Sequence, residues 1–333
     1  MNYLRKKNVI SWALYDWANS SFATTVMAGF FPIFFKSYWA KDLPDIDSTA
    51  MVGYANSFSG LVVVILAPIL GAFADLGAKR KRFLGIFASL GIVCTALFYF
   101  VPENQWVIAA LLYGIACIGF SGGNIFYDSL IVSVSDKSSR NQVSALGYSL
   151  GYLGGGILFL LNVLMFLYPQ SFNISSSSEA VLLSFMTVAV WWALFSLPLF
   201  KNVKESTHLN DNNGFTKTMA RSLKEVHSTL IEIRKYKRVG IFLLAYWFYM
   251  DGIDTIVRMS TAYGTDIGLD ASSLYVYDIS KLFFPSILIG RVFEINSYYL
   301  YLINLSLINS IFIFGLYKNL EEYKNRTILL TLI

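Results

Sequence analysis

The stretch WALYDWANSSFATTV, residues Trp12–Val26, carries Asp16 and Asn19 inside a segment that is otherwise apolar enough to lie in a lipid bilayer. An aspartate at the centre of a bilayer costs about 2.5–3.5 kcal/mol even on the most lenient insertion scale. Ionisable residues within membrane segments therefore face the interior of a helical bundle or a watery cavity, where they mark substrate or ion pathways. This stretch predicts a membrane-spanning helix with one polar face.

The composition of the whole chain is typical of a polytopic membrane protein. Of its 333 residues, 56% are hydrophobic and 14% are charged, whereas about 25% of the residues in soluble domains are charged. Apolar segments of about 20 residues are long enough to cross a bilayer as helices. Nine such segments are predicted, at residues 11–39, 50–73, 83–101, 106–134, 144–166, 180–200, 239–260, 274–289 (the weakest) and 298–316. The fold class that follows is all-α.

Lysine and arginine are concentrated in loops that would all lie on one side of the membrane. These are LRKKN at the N terminus, AKRKRF at 78–83, SDKSSR at 135–140 and the connection 201–238. Because cytoplasmic loops favour basic residues, we expect a multi-pass protein of the cell membrane, the bacterial inner membrane, with a cytoplasmic N terminus. The connection carries nine basic and four acidic residues, a net +5 that equals the charge of the whole chain. This basic character indicates contact with anionic lipid and no nucleic-acid partner.

The connection 201–238 divides the chain into three predicted parts. Residues 1–200 form a six-helix transmembrane bundle, and residues 239–333 form a second bundle with fewer spans. Within the connection, apolar residues recur every three or four positions from Phe215 to Ile233. That spacing predicts an amphipathic helix along the inner membrane surface, either as a tether between the bundles or as a partner-binding helix.

An internal repeat relates the two bundles. WALYDWANS at 12–20 aligns with WFYMDGIDT at 247–255, and GAFAD at 71–75 aligns more weakly with GRVFE at 290–294. Both pairs keep their orientation, as parallel repeats related by an axis along the membrane normal require. Chance similarity between aromatic-rich helices is the alternative.

Polar and charged residues follow one face of three predicted spans from the two bundles. They are Asp16 and Asn19 in the first span, Asn124 and Asp128 in the fourth, with Tyr127 beside them, and Asp251, Asp254 and Arg258 in the seventh. Such stripes predict a central cavity that binds a solute or an ion. Two alternatives stay open at this point. Asp254 and Arg258, at i and i+4, could form a structural ion pair. Asp128 could be a solvated terminal residue, a partner of Arg140 or of the basic cluster at 79–82, or part of a gate.

Two motifs resemble those of the major facilitator superfamily. GAFADLGAKRKR at 71–82 resembles the signature between the second and third helices, although Leu76 replaces its usual base. The matching positions are Gly71, Asp75, Lys79, Arg80 and Lys81. In that superfamily the loop is a cytoplasmic gate latch, which is the role that the resemblance implies for these residues.

The second motif, GYSLGYLGGG at 147–156, resembles the fifth-helix motif of facilitator antiporters with Tyr152 in place of its proline. Its glycines are Gly147, Gly151, Gly155 and Gly156. Small residues at four-residue spacing let helix backbones approach closely. The stripe is therefore either a site of static packing or a contact that flexes as the bundle moves.

Two longer blocks, residues 12–39 and 243–269, resemble the vacuolar-effluxer-like branch of the superfamily, also called the unknown major facilitator family. The resemblance runs from about residue 9 to 270 and resumes weakly between residues 284 and 323. It implies a fold of twelve spans in two six-helix bundles. With nine predicted spans, we expect a complete N-terminal bundle, an incomplete C-terminal bundle and a chain that is truncated or degenerate in its C-terminal part.

The leading hypothesis is a monomeric secondary transporter that works by alternating access and needs no cofactor or metal. Its solute would be small and polar, an amino acid or a related metabolite as the fungal members of the branch imply. Asp16 and Asp251 would bind a cationic group or a coupling proton, and Asn19, Asn124 and Tyr127 would supply neutral hydrogen bonds. The alternative is a transport-incompetent homologue or a membrane binding protein. An enzyme is not expected, because the sequence contains no Walker loop, metal cluster or nucleophile motif.

Overall fold

A computed structural model describes residues 2–75, 80–205 and 236–275, together with the single positions 224, 228 and 231. All of them belong to one compact unit, Met1–Ile279. Within this part of the chain the regular structure is entirely helical.

The first membrane span is one long helix of mixed type. It begins as α1 (Lys7–Ser21), continues as a π-helical segment (Phe22–Phe30), passes through the short α2 (Phe31–Phe34) and ends as a second π-helical segment (Phe35–Trp39). π-Helical turns are rare and occur mostly at functional sites.

The remaining helices follow in chain order and are joined by short connections as far as residue 205. They are α3 (Asp45–Asp75), α4 (Arg80–Leu97), α5 (Trp106–Ser129), α6 (Ile131–Val134), α7 (Arg140–Leu167), α8 (Ser177–Asn202) and α9 (Lys237–Asp266). Three 3₁₀ turns lie at Asn2–Arg5, Phe98–Phe100 and Pro169–Phe172. A reciprocal cap starts α8, because Ser176 accepts from the Glu179 N–H while Glu179 accepts from the Ser175 N–H.

The predicted spans between residues 11 and 260 are all helical in the structure. Six helices are long and apolar enough to cross a membrane, α3, α4, α5 with α6, α7, α8 and α9, and the mixed helix from Lys7 to Trp39 is a seventh. The all-α membrane fold with a complete N-terminal six-helix bundle is thus confirmed. The second bundle is represented in the described residues by α9.

Several predictions fall on other residues. The ninth span, and the eighth beyond Tyr275, lie outside the described residues. So does the amphipathic helix at 215–233, apart from residues 224, 228 and 231, which are helical and exposed. The division into parts at 1–200, 201–238 and 239–333 stays a prediction.

Close packing in the N-terminal bundle depends on glycines where helices cross. The first helix lies against α7 and α8, while α5 lies against α3 and α4. At Gly119 of α5, an added Cβ atom would lie 2.6 Å from the backbone nitrogen of Gly91 in α4. At Gly154 of α7, it would lie 2.4 Å from the backbone oxygen of Trp17 in α1. Such distances require the absence of a side chain.

Helix α9 contacts the N-terminal bundle near its C-terminal end. The Thr261 hydroxyl donates to the backbone oxygen of Ala28 at 3.0 Å. Beyond the end of α9, the rings of Tyr275 and Phe30 have centroids 4.6 Å apart. By contrast, residues 241–252 are all exposed. The hydrogen bonds of α9 to the bundle therefore come from its C-terminal part, where Arg258 and Thr261 lie.

Candidate functional site

A cavity of about 290 Å³ lies between α1, α5 and α7, near the junction of α5 and α7. It is lined by Trp12, Asp16, Asn124, Tyr127, Asp128, Ile131, Ser144 and Tyr148. Four of the residues singled out from the sequence therefore meet at one cavity: Asp16, Asn124, Tyr127 and Asp128.

Asp16 is half-buried, and its Oδ1 atom accepts a 3.2 Å hydrogen bond from the Ser20 hydroxyl one turn later in α1. Its neighbour across the helix interface is Gly151 of α7. A Cβ atom at Gly151 would lie 2.9 Å from the carboxyl carbon of Asp16 and 2.7 Å from the Ser20 Oγ atom. The glycine thus leaves the space in which the carboxylate sits.

Asn19 is fully buried and holds Asn124 in place. Its side-chain amide donates a 2.6 Å hydrogen bond to Oδ1 of Asn124. Asn19 therefore acts on the cavity through Asn124, because it is not itself one of the lining residues.

An aromatic wall forms another side of the cavity. The indole of Trp12 stacks on the Tyr127 ring with centroids 4.5 Å apart, and its Nε1 atom donates to the Tyr127 backbone oxygen at 3.1 Å. The Tyr15 ring supports this pair from behind at 5.0 Å from Tyr127. Tyr148 of α7, 65% exposed, supplies a free ring to the lining.

The lining residues that the structure describes carry acids and no base. Asp16 and Asp128 are the two carboxylic acids among them. In the described residues the ion pairs are Lys36–Asp266, Lys41–Glu103 and Arg258–Asp254, so neither cavity carboxylate is paired. Arg80, a base that Asp128 could have paired with, donates instead to the Ser129 backbone oxygen at 3.3 Å.

A second polar cluster joins α9 to the N-terminal bundle. Arg258 lies 2.7 Å from the Asp254 carboxylate, and its Nη1 atom donates to Oδ1 of Asn56 at 3.3 Å. The same amide oxygen accepts a 2.9 Å hydrogen bond from the Tyr113 hydroxyl. The i, i+4 ion pair considered from the sequence is thus present, and it is tied to α3 and α5.

Asp251, the repeat equivalent of Asp16, is exposed on α9. It is not one of the residues that line the cavity. The structure therefore does not bring Asp16 and Asp251 to a common cavity in its described part.

Two residues of the predicted latch, Arg80 and Lys81, lie at the start of α4. The Lys81 ammonium donates to the backbone oxygens of Phe200 and Val203 at 2.6 and 2.7 Å, and the Lys81 backbone N–H donates to Glu205. Gly71 has open space around it, while Lys79 and the side chain of Asp75 lie outside the described residues. Arg80 and Lys81 thus connect α4 to the ends of α5 and α8.

The glycine stripe of α7 lies against the first helix. A Cβ atom added at Gly147 would lie 2.8 Å from the Trp12 ring. One added at Gly155 would lie 3.0 Å from atoms of Ser20 and Thr24. Gly156 is buried as well. This geometry fits close packing between the two helices.

Four lining residues were not singled out as binding residues from the sequence: Trp12, Ile131, Ser144 and Tyr148. The signal was present for two of them, since Trp12 opens the repeated motif and Tyr148 lies within the glycine-rich motif of α7. No group of three histidine, cysteine or acidic side chains in the described residues could hold a metal ion.

Comparison with known proteins gives one family and one fold. The family described as vacuole effluxer Atg22 like matches residues 38–317. An uncharacterized MFS-type transporter of Bacillus subtilis, YxiO, is 40% identical over 268 residues, which are 80% of this chain and 62% of that protein. Autophagy-related protein 22-1 of Penicillium rubens is 20% identical over 367 residues, covering 75% of this chain and 61% of that protein. This chain thus spans about three fifths of the length of these relatives.

Two solved structures share the fold at 15% sequence identity. A D-xylose-proton symporter matches with a TM-score of 0.56 over 82% of this chain and 65% of its own. The xylose transporter XylE of E. coli, in an inward open conformation, matches with a TM-score of 0.56 over 87% of this chain and 70% of its own.

Proposed function

Because this chain belongs to the vacuole effluxer Atg22-like family of the major facilitator superfamily, we propose that it is a secondary transporter that moves a small polar solute by alternating access. The resemblance found in its sequence is confirmed by that family match. So is the expectation that the protein is related to transporters and not to enzymes. It is a multi-pass membrane protein.

The observation that carries the proposal is the cavity with two unpaired carboxylates beside a helix that meets the bundle at one end only. Asp16 and Asp128 line the cavity, and α9 is exposed from residue 241 to residue 252. A water-accessible cavity with charged residues in a bundle of spanning helices is the arrangement expected of a solute pathway.

We assign the cavity to the cytoplasmic side of a bacterial inner membrane. The basic segments at residues 5–7, 135–140 and 201–238 support this orientation through the preference of cytoplasmic loops for lysine and arginine. A relative from Bacillus subtilis supports the bacterial membrane. The protein would act as a monomer that contacts anionic lipid through the basic connection.

Asp16 is the proposed site for a cationic group of the solute or for a coupling proton. It is held by Ser20, and the titratable groups around the cavity are Asp128, Tyr127 and Tyr148, with Tyr15 behind them. No histidine lies in a membrane span of this sequence, so carboxylates are the available proton carriers. Asp251 would take an equivalent role only in a state in which α9 approaches the cavity.

Reconstitution of the 333-residue chain in proteoliposomes tests the proposal. Proton influx is followed with an entrapped pH-sensitive dye while individual small polar solutes, both amino acids and amines, are supplied outside. We expect solute-dependent influx that Asp16→Asn abolishes and that Asp136→Asn, a change in an exposed turn, leaves intact. Full proton-coupled uptake by Asp16→Asn would remove Asp16 from the coupling role. A folded protein that moves no solute at all would favour the alternative, a transport-incompetent homologue or membrane binding protein.

A further inference from the structure

We propose that the cavity selects an organic cation, a small protonated or quaternary amine, in preference to a zwitterion or an anion. The physiological meaning of this selectivity rests on the proposed transport function, but the selectivity is a property of binding and can be measured without flux.

The charges around the cavity support a cation. In the part of the chain that the structure describes, the lining contains two carboxylates and no base, so a bound ammonium group would be compensated and a bound carboxylate or phosphate would be repelled. Arg258 of α9 already contacts Asp254 and Asn56. A zwitterionic solute would therefore bury its own carboxylate in this cavity without a partner.

The aromatic wall supports an organic cation over a metal ion or an inorganic one. The exposed ring of Tyr148 can lie against a cationic head, while the stacked pair of Trp12 and Tyr127 offers apolar surface to its alkyl groups. Aromatic faces attract ammonium groups through the ring quadrupole, and quaternary amines are the ligands for which proteins use this contact most.

The positions of the two acids suggest how such a ligand would enter. Asp128 is exposed at the end of α5, whereas Asp16 is half-buried and fixed by Ser20. An amine would meet Asp128 at the entrance and Asp16 inside. The volume of about 290 Å³ is at the lower limit of ligand pockets, which favours a solute of a few heavy atoms over a drug-sized one.

Calorimetric titration of the purified full chain in detergent tests the proposal with three probes of similar shape. Choline is the cation, 3,3-dimethylbutan-1-ol is its neutral isostere, and glycine betaine adds a carboxylate. We expect choline to bind and the other two to bind about tenfold more weakly or worse. Equal binding of the neutral alcohol or of betaine, or no binding of choline, would overturn the proposal.

Variants connect the binding to the named residues. Asp16→Asn should weaken choline binding about tenfold or more, since the negative charge that compensates the ammonium group is lost. Tyr148→Ala should weaken it several-fold while Tyr148→Phe keeps the ring and the affinity, and Asp136→Asn should change nothing. Because Tyr148 is largely exposed, its variants keep the test valid if Asp16→Asn fails to fold. Unchanged affinity in folded Asp16→Asn and in Tyr148→Ala would exclude this cavity as the site.

The two proposals fail in different ways. Transport of another solute by a chain that does not bind choline would refute the cation selectivity and leave transport standing. Choline binding that depends on Asp16, in a chain that moves no solute, would support the selectivity and refute transport.

Discussion

The side-chain amide of Asn19 donates to Oδ1 of Asn124 at 2.6 Å, across 105 residues of sequence, and so joins α1 to α5 inside the N-terminal bundle. Asp16 lies one turn from Asn19, and Asp128 lies one turn from Asn124. The hydrogen bond therefore sets the distance between the two helices that carry the cavity carboxylates.

Replacing Asn124 by Ala should lower the stability of the protein by about 1–2 kcal/mol, because the buried Asn19 amide loses its partner. Thermal unfolding in detergent measures the effect, with Asn141→Ala at an exposed position of α7 as the control. The double variant Asn19→Ala, Asn124→Ala should lose less stability than the sum of the losses in the two single variants. Additive losses would mean that the two side chains do not interact.

Lys36 and Asp266 form an ion pair where the first helix meets α9, and the Thr49 hydroxyl donates to the same carboxylate at 3.0 Å. Lys36 is only 9% exposed, so this contact is better shielded from solvent than a surface pair. Asp266→Asn should let α9 separate from the bundle more often. If the contact contributes about 1–2 kcal/mol to the free energy of separation, its loss would raise the population with α9 separated about 5–30-fold.

A cysteine at the buried position Thr261 reports the separation. In a background without Cys94 and Cys117, Asp266→Asn should speed maleimide labelling of Thr261→Cys in detergent by a similar factor. Asp42→Asn, at an exposed position nearby, is the matched control. Equal labelling rates in the two variants would show that the ion pair does not hold α9 in place.

The sequence predicted the spans well and the cavity only partly, for reasons that particular residues make clear. Periodicity in α1 placed Asp16 on a polar face, and the structure puts it at the cavity. The mixed helix after Ser21 could not be foreseen, since its π-helical segments change the hydrogen-bond spacing from i+4 to i+5. Tyr148 was missed because its place in the cavity depends on how α7 is rotated relative to α1. That rotation depends on tertiary packing.

Asp251 shows the limit of reasoning from the repeat. Its motif matches that of Asp16, yet the residue is exposed, because α9 touches the bundle only near its C-terminal end. A repeated motif predicts a common helix face. It does not predict that both faces reach one cavity in the same conformation.

Gly154→Ala should destabilise the bundle by about 1–3 kcal/mol, since the new methyl group would lie 2.4 Å from the backbone oxygen of Trp17, which cannot rotate away. Gly60→Ala, in open space on α3, is the control and should be neutral or raise stability by up to about 1 kcal/mol through better helix propensity. Thermal unfolding of both variants in one detergent gives the comparison. A loss of stability in Gly60→Ala equal to that in Gly154→Ala would contradict the close packing of α1 and α7.

The cluster of Arg258, Asp254 and Asn56 predicts an asymmetry between its two charged partners. Arg258 is 17% exposed and Asp254 is 57% exposed. Removing the acid leaves a largely buried guanidinium without its carboxylate, although it still donates to the Asn56 oxygen. Removing the base leaves an acid in water and an Asn56 oxygen that still accepts from Tyr113. Asp254→Asn should therefore lower the free energy of unfolding by about 1 kcal/mol, a value reduced by the exposure of the carboxylate. Arg258→Met should lower it by less.

Thermal unfolding of the two single variants and of the double variant measures this asymmetry. The double variant should be about as stable as Arg258→Met alone, because Asp254→Asn is harmful only while the buried guanidinium is present. Glu103→Gln, which breaks the exposed pair with Lys41, is the control and should change stability by less than about 1 kcal/mol. A larger loss in Arg258→Met than in Asp254→Asn would mean that the guanidinium stabilises the junction of α9 with α3 and α5 through contacts other than the ion pair.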